Sequence, residues 1–268
     1  MQFLKSLLSP ENTVQLWLTA FVVAMVVLGI VSGFFKARRI QPGRFKWKIF
    51  GLEATVAVVG GFITGFLFKG LTWGLAAMHP TFINPAPAAW WQIALEFGAF
   101  FFLFDTWFYW LHRWMHKEPF YSLIHKLHHK STSPNLLTTL SVNPLESLVN
   151  GGFSPIFAFA ATLIAVPIHK ETMGLIGATT ILMGLYVHAG HEFLPRWWNR
   201  TWATKWFITT TFHDQHHKYF NYNFGGFTTI WDYLCGTVRK KYEADFDKNC
   251  ERRSAPRQPA AQPEPAEA

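Results

Sequence analysis

The stretch "WWQIALEFGAFFFLFDTWFYWLHRWMH", residues 90–116, decides how this chain is read. About 20 apolar positions, enough to cross a bilayer core, run directly into two histidines four residues apart. Working outward, Leu16 to Phe35 and Leu52 to Met78 are apolar runs of the same kind. Two weaker runs, Gly152 to Ile168 and Met173 to Val187, are separated by His169-Lys170-Glu171. They make either a thin crossing pair or a hairpin dipping into one leaflet, and the crossing pair is preferred because neither run carries an acid or base to stop it. Only 15% of the residues are charged, against roughly 25% in an ordinary soluble domain. The expected fold is all-α, a polytopic membrane protein of four to five transmembrane helices topped by a cytoplasmic helical cap.

Lysine and arginine set the orientation, since cytoplasmic loops hold the excess. The loop "KARRIQPGRFKWK" after the first span is basic, whereas "HPTFINPAPAA" after the second has no Lys or Arg. This places the first loop inside and puts every histidine cluster on the cytoplasmic face. The net charge of +8 collects in short juxtamembrane loops, which excludes nucleic acid as the expected partner. Cys235 and Cys250 lack CxxC spacing and read as ordinary thiols. No cleavable signal is evident, so the first apolar run is taken as a span. Residues 1–250 are expected to form one membrane-embedded domain, and 251–268, rich in Pro, Ala and Glu, a disordered tail.

Ten of the twelve histidines fall into four groups: "HRWMH" (His112, His116), "HKLHH" (His125, His128, His129), "HAGHE" (His188, His191) and "HDQHH" (His213, His216, His217). Spacings of three and four put rings on one helix face, so each group is expected to point one way. His79 and His169 fall at the opposite membrane face and read as loop or interface residues. Asp105, two turns before His112, is expected to accept the outer ring N–H of a ligating histidine. Nine or ten imidazoles exceed the ligands of one zinc, so a dimetal site is implied. Imidazole suits zinc, copper, iron and nickel alike. A nearly all-histidine set favours iron and dioxygen chemistry; a zinc-dependent membrane hydrolase and a non-enzymatic metal- or haem-binding protein stay open as alternatives. The segment "PRWWNRTWATKWF" is expected to lie flat as an interfacial helix with Trp198, Trp202 and Trp206 on one face.

The four boxes, with "HDQHHKYFNYNFGGFTTIWDYLCGT" as the last, resemble the fatty acid hydroxylase and sterol desaturase superfamily of integral membrane di-iron oxygenases. The likeness covers about residues 105–237 and is nearest the C-4 methylsterol oxidase and C-5 sterol desaturase branches. "NPLES", with Glu146, is similar to the family's Pro-Leu-Glu segment. The resemblance implies iron ligands at His112, His116, His125, His128, His129, His188, His213, His216 and His217. His191 stands where relatives often have an aromatic residue, so it is left as an extra ligand, a partner beside Glu192, or a headgroup contact. Implied with the ligands are two iron ions, which zinc is able to replace in a purified sample, and hydroxylation or desaturation of a lipid. No dinucleotide fingerprint or haem motif is present, so electrons are expected from a ferredoxin or cytochrome-b5-like protein. Arg196, Arg200, Lys218, Arg239, Lys240 and Lys241 are the candidate docking bases. The expected location is a bacterial inner membrane, or the endoplasmic reticulum in a eukaryote.

Overall fold

The structure, a computed structural model, describes residues 13–41 and 47–251. The expected tail beyond Glu251 and part of the first basic loop lie outside the described residues. The described helices are α1 (Thr13–Phe34), α2 (Trp47–Met78), α3 (Trp90–Met115), α4 (Pro144–Gly151), α5 (Phe153–Leu163), α6 (Lys170–Val187), α7 (Thr210–Tyr219), α8 (Ile230–Leu234) and α9 (Tyr242–Glu251). Two-residue strands β1 (Ile83–Asn84) and β2 (Ile168–His169) pair in parallel.

That small pair marks one end of a helical bundle. Both α3 and α6 start beside it and finish in histidines, so the boxes gather at the other end. His169, expected as a loop or interface residue, is a buried pin. Its Nδ1 lies 2.5 Å from Glu96 Oε1, its backbone N–H donates to Glu96 Oε2, and the Thr172 hydroxyl donates to the same oxygen. Glu96 precedes His112 by sixteen residues, which at 1.5 Å per residue is roughly 24 Å of helix.

Between α4 and α5 the chain breaks at Gly151-Gly152. A Cβ on Gly151 would come within 2.5 Å of Phe68 Cζ on α2, so glycine permits the closest approach of these elements. Asn143 caps α4 by accepting from Leu145 N, and Pro144 occupies the first turn, where its missing N–H costs nothing. Phe100 and Phe104 of α3 stack at 5.2 Å and pack with Ile176 of α6 and Phe227, which ties the bundle to the last histidine segment.

Among the described residues, Trp47–Met78 is the one helix long and apolar enough to cross a membrane by length and composition, with mean hydropathy 1.7. Two of the other expected spans fall short of that measure through their own sequences. α3 carries Glu96, Asp105 and Arg113, and α5 has eleven residues, about 16 Å, short of a bilayer core. The tryptophan segment departs further from expectation. A short 3-10 turn covers Arg196–Arg200 and no helix follows, so Trp198 packs into the core beside Phe212 and Tyr242 while Trp202 is exposed. Arg196 and Arg200 both bond Asp247 of α9, which fixes this segment by charge where an amphipathic face was expected.

Candidate metal centre

Nine histidines from four chain segments converge at the end of the bundle in two clusters. His112, His116, His125, His129 and His216 form the first, and His128, His188, His213 and His217 the second. Within the first, Nε2 atoms neighbour one another at 3.1 Å (His112–His125), 3.0 Å (His125–His129), 3.1 Å (His129–His216) and 3.2 Å (His216–His116). In the second, His188, His213 and His217 are 3.0–3.2 Å apart.

The boxes do not each point one way, as helical spacing alone predicts. Backbone between Tyr121 and His125 is π-helical and His128–Lys130 is a 3-10 turn, so His128 swings to the second cluster while His125 and His129 serve the first. In α7, His213 and His217 share a face and His216 lies on another, dividing that box as well.

Backbone oxygens fix the ring tautomers. His112 Nδ1 donates to Phe224 O (2.8 Å) and His216 Nδ1 to Tyr222 O (2.7 Å), so the segment "NYNFGG" supplies two acceptors to the first cluster. In the second, His188 Nδ1 donates to Gly184 O (2.7 Å) and His217 Nδ1 to Ser131 O (3.0 Å). A neutral ring that donates through Nδ1 keeps a bare lone pair on Nε2. His188 and His217 therefore face each other with two lone pairs 3.2 Å apart, a repulsive contact that a cation between them turns into two bonds.

Spacing agrees with that demand. With metal–nitrogen bonds of about 2.0–2.1 Å, ligands at right angles sit about 3.0 Å apart and tetrahedral ones about 3.4 Å. The observed edges of 3.0–3.2 Å fall between these two values, within the range that rings around one shared ion adopt. Burial holds the imidazoles neutral and ready to ligate: His125 and His188 are pushed down to about 3 and His128 to about 4. His129, His213, His216 and His217 also lie well below the ordinary value, through burial first and mutual repulsion second.

Glu146, noted in sequence but given no partner, lies with Oε1 2.8 Å from His125 Nδ1. Burial pushes its carboxyl up to about 8. A positive charge in the cluster would draw it back to carboxylate and lock His125 in the ligating tautomer.

The residues named as possible additions take other roles. Asp105 holds no histidine: its carboxylate accepts from Phe227 N (3.0 Å), Thr228 N (2.8 Å) and the Thr228 hydroxyl (2.5 Å). Two helical turns, about 10 Å, are too far for it to reach His112. Glu192 accepts from Leu194 N and Thr211 N and so anchors the start of α7. His191 lies outside both clusters, half-buried, with Nδ1 on Ala189 O and its backbone bridged to Arg39. Asp232 of "WDYLCGT" accepts from Phe224 N (2.8 Å) and Gly225 N (2.7 Å), bracing the carbonyl that holds His112.

A cavity of about 230 Å³ runs from the clusters into the bundle. His112 and His125 of the first cluster and His128, His188 and His213 of the second open onto it. Its walls are largely apolar, including Phe104, Phe108, Met115, Met183, Val187 and Phe227. No carboxylate stands within either cluster, which disfavours the hydrolase alternative, and the histidines surround two points instead of facing each other across a haem.

The fatty acid hydroxylase family matches residues 97–237. A C-4 methylsterol oxidase of Schizosaccharomyces pombe is 30% identical over 237 residues, 80% of this chain and 75% of its own length. A methylsterol monooxygenase of Aspergillus fumigatus is 32% identical over 161 residues, 56% of this chain and 50% of its own. A Delta(7)-sterol 5(6)-desaturase of Saccharomyces cerevisiae is 30% identical over 156 residues, 58% of this chain and 39% of its own. No solved structure matches. Since the matched segment takes in more than half the chain and all nine clustered histidines, this protein belongs to the fatty acid hydroxylase family, a family of lipid hydroxylases and desaturases.

Proposed function

We propose that the chain is a membrane-bound di-iron oxygenase acting on a C–H bond of a lipid, with sterols and fatty acyl chains the leading substrate classes. The observation that carries this reading is the pair of all-histidine clusters opening onto one apolar cavity. His112, His116, His125, His129 and His216 would hold one iron, and His128, His188, His213 and His217 the other. Iron held there supplies the oxidation of an unactivated C–H bond by dioxygen with two electrons from a donor protein. Hydroxylation consumes the C–H bond, O2, two electrons and two protons to give an alcohol and one water; desaturation removes two hydrogens and gives two waters.

The chain's own residues position and protect. Phe104, Phe108, Met183 and Phe227 hold an apolar chain or ring against both clusters and exclude water. Glu146 Oε2, buried without a hydrogen-bond partner, lines the cavity, while its Oε1 would hold His125 in the ligating tautomer. Exposed apolar side chains on α1 and α2, among them Val22, Val26, Phe62 and Phe66, suit contact with lipid. On this basis α2 crosses the bilayer and α1, α3, α5 and α6 complete four to five crossings, with the clusters facing the cytoplasm. Exposed Lys218, Lys240 and Lys241 remain available to an acidic ferredoxin or cytochrome-b5-like donor. Arg196 and Arg200 already pair with Asp247. The membrane is a bacterial inner membrane or, in a eukaryotic host, the endoplasmic reticulum.

The test supplies the purified, iron-loaded protein with a reductase system, a membrane lipid extract and 18O2. A product heavier by one 18O atom establishes hydroxylation, and a loss of two hydrogens without label establishes desaturation. Turnover that continues without oxygen and is supported by zinc alone would replace this reading with the hydrolase.

A further inference from the structure

The two clusters are braced from different sides. Acceptors for the outer nitrogens of the first come from Phe224, Tyr222 and Glu146. For the second they come from Ser131 and from Gly184 of α6. Behind the segment that contains Ser131 stands an acid to which the proposed chemistry gives no part.

Glu53 lies in the second turn of α2, within a long apolar helix, and is 1% exposed. Its Oε1 accepts from the Ser131 and Thr138 hydroxyls, the latter at 2.7 Å, and its Oε2 accepts from Asn135 Nδ2 at 2.7 Å. All three donors belong to the segment 131–138, which leads out of the "HKLHH" box. Ser131 then presents its carbonyl to His217 Nδ1. Thr139, next in chain to Thr138, sets its hydroxyl 3.3 Å from His188 Nδ1 and donates it to Gly184 O, the same carbonyl that holds His188. One carboxylate on α2 thus tethers supports of two of the four rings of the second cluster. No hydrogen bond links it to the supports of the first.

We propose that Glu53 is a positioning residue for the second cluster, setting the affinity for an ion there while leaving the first cluster largely untouched. With glutamine in its place, one oxygen must serve both hydroxyls and an amide NH2 meets the Asn135 NH2 in a dry setting, so the segment 131–139 relaxes and the His217 and His188 rings lose the aim of their Nε2 atoms. A role in general folding alone would weaken both clusters together. The asymmetry separates the two cases.

This inference rests on the two-ion reading, and the experiment distinguishes their failures. Full-length protein in detergent is stripped of metal and titrated anaerobically with ferrous iron against a competing chelator, with 57Fe Mössbauer spectra at each step. Wild type should take up two ions; uptake of fewer would sink the two-ion reading itself. Glu53→Gln should keep one ion at wild-type affinity and bind the other about 10–100-fold more weakly, with one of two Mössbauer components lost. Ser131→Ala, which removes one hydroxyl and keeps the carbonyl that holds His217, should weaken the same ion by a smaller factor. It also carries the test if Glu53→Gln does not fold. Equal weakening of both ions, or second-ion affinity unchanged in Ser131→Ala, would overturn the assignment.

Discussion

His216 and His217 are adjacent in sequence yet serve different clusters: His216 Nε2 lies 3.1 Å from His129 Nε2, and His217 Nε2 lies 3.2 Å from His188 Nε2. Consecutive residues on a helix diverge by about 100°, so α7 runs between the two clusters like a partition wall and lends a ring to each.

From this division, His216→Ala and His217→Ala should each remove one ion and leave the other. Both should abolish oxygen-dependent product formation, because the cavity touches both clusters. Metal content by mass spectrometry alongside a product assay checks this. A variant that loses both ions at once, or keeps turnover, contradicts the division.

Glu146→Gln keeps the size of the side chain but cannot become a carboxylate opposite His125. Iron affinity of the first cluster, or activity at fixed iron, should fall about 10–100-fold, as for other partners of ligating histidines. Wild-type affinity in this variant would mean that the His125 tautomer needs no carboxylate.

Acid should destabilise the metal-free protein. The eight clustered imidazoles that follow α3 all titrate below the ordinary value near 6.5, with His125 and His188 at about 3 and His128 at about 4. Their folded pKa values are depressed, so the stability they contribute is complete above 6.5 and drains away as pH falls towards 3–4, where only the unfolded chain takes up protons. Glu146, Asp214 and Asp232, raised by burial to about 8, 7 and 6, and Glu192, also raised by burial, act in the opposite sense. Four carboxyls do not outweigh eight imidazoles. The melting temperature should peak between about pH 6 and 7 and drop by several degrees at pH 5. A flat profile from pH 7 to 5 in thermal melts would contradict the buried, neutral state of the rings.

Asp232→Ala leaves Phe224 N and Gly225 N without an acceptor in a buried turn. Each orphaned donor costs about 1–3 kcal/mol. The turn carries the carbonyl that holds His112, so the ion of the first cluster should weaken along with global stability. Denaturant melts and iron titration together check both effects. Unchanged iron affinity in a destabilised variant would confine Asp232 to the fold.

The repeated three- and four-residue spacings made ten histidines stand out in an apolar chain, the nine clustered ones and His191, and only the family resemblance set His188 apart from His191. The partition into two clusters was not legible. It depends on π and 3-10 turns around 121–130 that helical periodicity does not foresee. Asp105 sat on the expected face but closes a tertiary contact with residues 122 and 123 positions away, for which spacing has no signal. Glu53 was hidden for the same reason: its partners lie 78 to 85 positions downstream, and within an apolar run it passes for a tolerated acid. The tryptophan run misled because its arginines are spent on Asp247, a contact that favours a folded strap over a free amphipathic helix.

Read along the chain, the clustered histidines alternate in allegiance: three to the first cluster, then one to the second, one to the first, two to the second, and finally His216 and His217 to one each. Neither cluster is complete until α7 has been made, since the first closes with His216 and the second with His217. On the two-ion reading, a chain ending before His213 would keep four of the five rings of the first site but only two of the four of the second, and so would hold the second ion the more weakly, however well its apolar segments had already inserted.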